Sequence, residues 1–172
     1  MKLHRVLHSN AGQREASELL QSVLAGELIR PSTRLWLVSP WISDIPVIDN
    51  GADAFSKLEP AWARSEVLLS QVLGYLAASG TDCRIVYRDD GRSAAFIGAL
   101  NRRERELAVQ FTLIPTEPLH EKHLLTDAVY LTGSMNFTHG GTERYDEGIH
   151  LHIDPPLIHG EHLEFEKRWG RR

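Results

Sequence analysis

The alternation of helical and strand-like segments over residues 11–114 constrains the fold of this chain more than any other feature. Apolar residues recur at the spacing of amphipathic helices in three segments, 11–29, 65–78 and 93–108. Short apolar runs typical of buried strands follow these segments in turn, at 34–39, 83–87 and 109–114. The order αβαβαβ predicts a largely parallel sheet with helices on both of its faces. The stretch 44–62 has neither period and is expected to be an irregular loop.

After Pro115 the chain changes to short strands separated by turns. Strands are predicted at 119–125, 128–131 and 146–153, and a last helix at 160–169. Adding these strands to a parallel sheet makes the sheet mixed. We therefore expect an α/β fold with a mixed, mostly parallel sheet, formed as a single domain over residues 1–172.

Cysteine content and hydropathy indicate a cytoplasmic protein. Cys83 is the only cysteine, which excludes an internal disulfide and favours a reducing compartment. No apolar run approaches the ~20 residues that a membrane span needs. The first residues also lack the apolar core of a secretory signal, so no membrane contact is expected.

The formal net charge of −4 limits the partners that the whole surface can attract. Nucleic-acid binders usually present a basic surface, because phosphate contacts supply much of their affinity. Any positive surface here must be local, and the arginines from Arg84 to Arg105 or the basic residues after Glu166 are candidates. Asp89 and Glu104 interrupt the first group, which is also typical of a solvated helix face.

His120 and Lys122 are the first candidates for chemistry. On a strand, side chains two positions apart point the same way, so the two residues are expected to share a face. A histidine can attack phosphorus, and a lysine beside it can stabilise the negative charge of a phosphate. Taken alone, this pair is more typical of ordinary strand residues.

Three further residues have spacing that suits the same chemistry. Glu147 falls on the apolar face of the predicted strand 146–153, where a carboxylate needs a partner such as a histidine, unless the strand start is solvated. Ser134 and Asn136 lie in a glycine-bearing turn that could direct polar groups at an anion. Such turns are more often simply polar.

Two other positions have competing interpretations. Trp41 follows the predicted strand 34–39, where ligand sites collect in sheets of this kind, so it could stack on a substrate. A tryptophan is more often part of the core. Asp127 is typical of a turn between paired strands.

Taken together, the spacing resembles the histidine–lysine–aspartate motif of the phospholipase D superfamily. The pattern is His120-x-Lys122-x4-Asp127, then Gly133-Ser134-x-Asn136 and an acid eleven residues further on, Glu147. It covers about a fifth of the chain, and the preceding strand–helix order resembles one half of that fold.

The resemblance implies a two-step phosphoryl transfer without metal or other cofactor. His120 would form a phosphohistidine, and Lys122 and Asn136 would hold the phosphate oxygens. Glu147 would orient His120, and Ser134 would support the site. Asp127 would have a structural, hydrogen-bonding role.

The family's site needs two copies of the motif, and this chain has one. None of the other eight histidines is followed by a lysine two residues on. The second copy is therefore expected from a two-fold homodimer with the site at its interface. This resembles the small single-motif bacterial nucleases of the superfamily, and also components of phage-defence and DNA-modification clusters. A nucleic acid is the expected substrate.

Three alternatives remain open from the sequence. A metal enzyme could use His150 and His152 with Asp146 or Asp154, although no recognised ligand spacing appears. The chain could be an inactive subunit of a larger nucleic-acid-processing complex. It could also cleave a lipid or a small soluble phosphodiester, with lipid disfavoured because no amphipathic anchor is evident.

Overall fold

The computed structural model of the chain describes residues 4–7, 12–138 and 149–170. Nine strands are found in this part of the chain: β1 (His4–Leu7), β2 (Arg34–Val38), β3 (Pro46–Asp49), β4 (Glu66–Leu68), β5 (Asp82–Tyr87), β6 (Thr112–Pro115), β7 (His123–Leu125), β8 (Tyr130–Gly133) and β9 (Ile149–His152). The four helices of the same part are α1 (Gly12–Ile29), α2 (Leu69–Ala78), α3 (Ala94–Leu107) and α4 (Pro155–Trp169).

Seven of these strands form one mixed sheet in the order β1-β9-β8-β7-β2-β5-β6. The pairs β2–β5 and β5–β6 are parallel, as the αβ alternation of the first part predicts. The remaining pairs are antiparallel and include the three short strands after Pro115. The predicted α/β fold with a mixed sheet is confirmed.

Helices cover both faces of the sheet, also as predicted. The larger core includes Leu24 of α1, Leu73 of α2 and Phe96 of α3, packed with Leu37 and Ile85 of the sheet. The second core lies on the opposite face and contains residues of β2 and α4: Trp36, Val38, Ile158, Phe165 and Trp169. Full burial of such side chains stabilises a fold by about 1.5–3 kcal/mol each, so both layers hold the sheet rigid.

The region before α2 differs from the prediction. The predicted helix 65–78 begins only at Leu69, because Glu66–Leu68 is a strand paired with β3. The Gln71 side chain accepts a hydrogen bond from the Leu68 N–H at 2.8 Å, and Asp44 accepts one from the Ser70 N–H at 2.8 Å. These side chains cap the new helix where strand pairing ends. The stretch 44–62 is therefore partly regular, with β3 and a 3-10 helix at Pro60–Trp62.

The predicted strand 119–125 is shorter in the structure. Its partner β2 ends at Val38, the last residue paired with His123. The next N–H, of Ser39, donates to the Val86 carbonyl on the other side at 3.0 Å. Residues 119–122 therefore have no strand to pair with and form an extended loop.

Two differences concern the ends of the chain. The last helix begins at Pro155 rather than at residue 160, because proline is tolerated in the first helical turn, where its missing N–H has no intrahelical partner. β1 was not predicted, and it pairs antiparallel with β9. Residues 146–148 of the predicted strand 146–153 lie outside the described residues.

Candidate active site

One edge of the sheet collects most of the predicted site residues. The β2–β7 register places Val38 opposite His123, and the β7–β8 register places His123 opposite Thr132. The end of β2, the start of β7 and the end of β8 therefore meet. The loops 39–43, 119–122 and 133–137 all leave the sheet at this edge.

His120 and Lys122 lie side by side in one of these loops. The Lys122 Nζ donates a hydrogen bond to the His120 carbonyl at 2.6 Å, while the His120 side chain is exposed. The expectation that the two residues share a strand face is wrong, because the strand starts at His123. Their proximity comes instead from a loop in which the lysine turns back on the histidine backbone.

Lys122 and the turn after β8 line the same shallow pocket. Gly133, Met135 and Phe137 form its wall together with Lys122. The space inside is about that of one water molecule, and its lining does not include His120, Ser134 or Asn136, so it is a crevice beside these residues rather than a substrate pocket.

Asn136 and Ser134 occupy this turn, at the same edge as Lys122. A parallel bridge joins Phe137 to Ile42, and the Ser43 N–H donates to the Phe137 carbonyl at 2.8 Å. The buried Ser39 hydroxyl lies 3.3 Å from Asn136 Oδ1. These contacts fix the half-buried Asn136 against the loop after β2, whereas Ser134 is exposed.

Asp127 lies at the opposite end of β7 and is not part of this cluster. Its Oδ2 accepts hydrogen bonds from the Thr33 N–H at 2.7 Å and from the Thr33 hydroxyl at 2.8 Å. Its own N–H donates to the Ser32 hydroxyl at 3.0 Å. Asp127 therefore ties the β7–β8 turn to the start of β2, far along the strands from His120.

Glu147 lies outside the described residues. Two positions later, Ile149 starts β9 and is paired with Gly133 at the end of β8. The role of Glu147 beside His120 stays a prediction.

Two arginines that support the His120 loop were not recognised as site residues in the sequence. Arg88 Nη2 donates to the Leu119 carbonyl at 2.7 Å. Arg168 of α4 forms a two-pronged ion pair with Glu121, with distances of 2.7 and 2.8 Å. The loop is therefore held on both sides of His120. No local signal could reveal these contacts, because the partners are 31 and 47 residues apart in sequence.

The residues next to this ion pair have shifted pKa values. Burial alone would raise the pKa of Glu121, but the hydrogen bonds and charge of Arg168 outweigh it and lower the pKa. Burial lowers the pKa of His123, against the opposing effect of Glu121 at 3.4 Å. Burial also raises the pKa of Tyr130, whose hydroxyl lies 3.1 Å from His123, to about 12. Glu121 is thus held charged, and His123 and Tyr130 are held neutral, behind the loop.

Trp41 is neither a core residue nor an open stacking platform. Its side chain is half-buried, and its Nε1–H donates to Asp90 at 2.9 Å. The guanidinium carbons of Arg92 and Arg88 lie 4.4 and 5.6 Å from its ring centroid. The ring of Trp41, in the loop that follows β2, therefore packs against two guanidinium groups.

The histidines and acidic residues of the described chain are too scattered to form a metal centre. Across residues 4–7, 12–138 and 149–170, no three His, Cys, Asp or Glu side chains form a group that could hold a metal ion. His152 instead stacks on Tyr130, with ring centroids 5.7 Å apart. None of the helices described above is long and apolar enough to cross a bilayer.

Solved structures share this fold over nearly the whole chain. NucT from Helicobacter pylori superposes with a TM-score of 0.67 at 13% identity, covering 97% of this chain and 95% of its own. Nuc from Salmonella typhimurium, a phospholipase D family member, gives a TM-score of 0.62 at 17% identity and covers 98% and 94%. Polyphosphate kinase from Porphyromonas gingivalis gives 0.63 at 14% identity, covering 95% of this chain and 23% of its own.

The chain therefore has the phospholipase D fold, and the resemblance inferred from its motif is confirmed at the level of the fold. No protein-family model matches the sequence, and no curated protein matches it either.

Proposed function

We propose that this chain is a metal-independent phosphodiesterase, and specifically a nuclease that works through a phosphohistidine on His120. One observation carries the proposal. An exposed His120 is followed by a Lys122 that folds back on its carbonyl, and both lie at the same edge of the sheet as the turn 133–137, on a fold shared with Nuc and NucT.

The first chemical step would be attack of a ring nitrogen of His120 on phosphorus. A phosphorus–nitrogen bond forms, the bond to the leaving oxygen breaks, and a second histidine protonates that oxygen. Lys122 and the Asn136 carboxamide would bind the phosphate oxygens, whose negative charge grows in the transition state. In the second step the second histidine takes a proton from water, which attacks phosphorus and releases His120.

Two residues would support His120 in this scheme. Glu147 would accept a hydrogen bond from the imidazole, which fixes its tautomer and stabilises the charged ring. Ser134 would support the site by hydrogen bonding behind the residues that bind the phosphate. Asp127 is assigned a structural role, because its carboxylate is bonded to Thr33 at the far end of β7.

The second histidine would come from a second copy of the chain. A two-fold homodimer brings two identical motifs face to face, so that one His120 attacks while the partner's His120 donates the proton. The dimer surface would then include the edge with loops 39–43, 119–122 and 133–137.

The net charge of −4 favours one further candidate. A chain this acidic would suit a subunit of a larger cytoplasmic complex, such as a phage-defence or DNA-modification assembly, whose other members bind the nucleic acid. In that case cleavage would need the partner proteins.

The decisive experiment is cleavage of single- and double-stranded DNA and RNA in excess chelator. We expect cleavage by the wild type, its loss in His120→Ala, and a weaker residual activity in Glu147→Gln. His159→Ala is the matched control, because His159 is an exposed histidine of α4. Circular dichroism checks that each variant is folded.

Three outcomes would redirect the assignment. Full activity of His120→Ala would exclude the phosphohistidine mechanism. Loss of cleavage in chelator would favour the metal alternative. A purely monomeric protein in light scattering at micromolar concentration would contradict the shared site.

A further inference from the structure

A cationic cluster lies beside the candidate site and is built on one aromatic ring. It consists of Trp41, Arg88, Asp90 and Arg92, called here the Trp41 cluster. The two guanidinium carbons lie 5.6 Å (Arg88) and 4.4 Å (Arg92) from the ring centroid. A ring face attracts a cation without neutralising it, so with Asp90 as its one acidic member the cluster keeps a formal net charge of about +1.

The cluster is bonded directly to the loop that carries His120. Arg88 Nη2 donates to the Leu119 carbonyl at 2.7 Å, and the Arg88 N–H donates to the Pro40 carbonyl at 3.1 Å. Pro40 and Leu119 precede Trp41 and His120, respectively. One arginine therefore joins the cluster to the site.

The acidic member of the cluster is turned towards the indole. Asp90 accepts the Trp41 Nε1–H at 2.9 Å, and this bond is the main cause of its lowered pKa. Its distance to Arg92 Nε is longer, 3.8 Å, and the Arg92 side chain is 63% exposed. Arg92 thus presents a charge to solvent at the edge of the sheet that holds His120 and Lys122.

A pocket of about 250 Å³ lies beside Arg88 along the start of α3. Its lining includes the basic Arg88, the acidic Asp89, the polar Ser93 and Asn101, and the apolar Ile97. The residues after β5 leave the sheet at the same edge as the loop with Trp41, because β5 pairs parallel with β2 and Val86 lies opposite Val38. A nucleic-acid strand held along this edge would meet the arginines of the Trp41 cluster, which a small phosphodiester need not contact.

We propose that Arg92, supported by Trp41 and Arg88, binds a backbone phosphate next to the one that is cleaved. The substrate would then be a nucleic-acid strand rather than an isolated phosphodiester. This inference rests on the proposed function for the identity of the cleaved group, but its binding test does not require catalysis.

The test is the affinity of the full-length protein for a fluorescent single-stranded oligonucleotide, measured by anisotropy at several salt concentrations. Arg92→Gln is expected to weaken binding about tenfold, since it removes one charge-assisted phosphate contact. The slope of log affinity against log salt should fall in magnitude by about 0.7, the value for one contact with a single strand. Arg105→Gln is the matched control: it makes the same charge change on an exposed residue at the other end of α3.

A second variant is expected to change the oligonucleotide affinity in the opposite direction. Asp90→Asn keeps an oxygen acceptor for the Trp41 Nε1–H but removes the negative charge beside Arg92, so binding should tighten severalfold. Glu106→Gln makes the same charge change near the far end of α3 and should have a smaller effect.

Hydrolysis of bis(p-nitrophenyl) phosphate separates this inference from the proposed function. The ratio of oligonucleotide to small-diester cleavage should fall in Arg92→Gln and stay constant in Arg105→Gln. Equal effects of these two variants on oligonucleotide affinity, or no oligonucleotide binding by the wild type, would overturn the inference. Absence of all hydrolysis with Arg92-dependent binding intact would instead refute the proposed chemistry and leave the binding surface supported.

Discussion

Asp127 offers the sharpest test of how the site is assembled, because it belongs to the motif but lies at the other end of β7 from His120. Its carboxylate accepts two hydrogen bonds from Thr33, at 2.7 and 2.8 Å, at the end of β7 away from His120. Asp127→Ala should therefore destabilise the fold and leave the turnover number of the remaining folded protein unchanged.

The size of the effect follows from these contacts. Hydrogen bonds to a charged group contribute about 1.5–3 kcal/mol net when shielded from water. The Asp127 side chain is 41% exposed, so water replaces part of what is lost. We expect about 2 kcal/mol in the free energy of unfolding for both bonds together. For a domain of this size that lowers Tm by about 4–8 °C.

The assay combines urea unfolding with cleavage kinetics at a temperature where every variant is folded. Asp127→Asn keeps an acceptor oxygen and should lose about half as much stability. Asp89→Ala, which removes another exposed loop aspartate, should change it by no more than about 0.5 kcal/mol. A double-mutant cycle with Thr33→Val measures the hydroxyl contact directly.

One result would refute this reasoning. If Asp127→Ala abolished cleavage while Tm stayed at the wild-type value, the carboxylate would be acting in the reaction. Its assignment to a structural bond with Thr33 would then be wrong.

Three further predictions concern the surroundings of the site. Arg168→Ala should lower kcat more than it raises KM, because it frees Glu121 beside His120. Arg168→Lys should restore part of the loss. The free energy of unfolding should fall by less than about 1 kcal/mol in Arg168→Ala, since both partners of the ion pair are more than a third exposed. For His123 the native pKa is lowered by burial, so the unfolded chain binds the proton first as pH falls. Stability is therefore expected to decline from neutral pH downwards through the ordinary histidine range, and by less in His123→Gln, as measured by urea midpoints. Burial, followed by the charges of Asp82 and Glu27, raises the pKa of the Cys83 thiol to about 12, so a thiol reagent should label Cys83 only on unfolding.

Each of these has a contradicting result. Equal losses of kcat in Arg168→Ala and in Lys167→Ala, its exposed neighbour, would remove the positioning role. An unchanged pH dependence in His123→Gln would assign the decline to other groups. Rapid labelling of Cys83 in the native protein would contradict its burial.

Much of the fold could be predicted because local patterns report burial. The helical period over 11–29 and the apolar run 34–39 correspond closely to α1 and β2. Patterns failed where a partner element decides the conformation. Val67 and Leu68 continue the apolar pattern of the helix that follows them, yet residues 66–68 form β4 because they pair with β3.

The same distinction between local pattern and tertiary contact applies to the site residues. The resemblance to the superfamily motif identified His120, Lys122 and Asn136 as a group, and the strand registers bring their loops to one edge of the sheet. The same motif includes Asp127, which follows β7, whereas His120 precedes it. The two residues therefore lie at opposite ends of this strand.

What the sequence by itself determined is therefore most of the order of the elements, since helical and strand periods depend on neighbours within a few residues, and a set of candidate site residues, through the spacing of a known motif. Only the tertiary structure decided which of these side chains meet. It also brought Arg88 and Arg168 into contact with the His120 loop, where their partners are 31 and 47 residues away in sequence. The physical reason is that a hydrogen bond or ion pair depends on distance in space, which is set by strand register and helix packing and leaves no periodic trace along the chain.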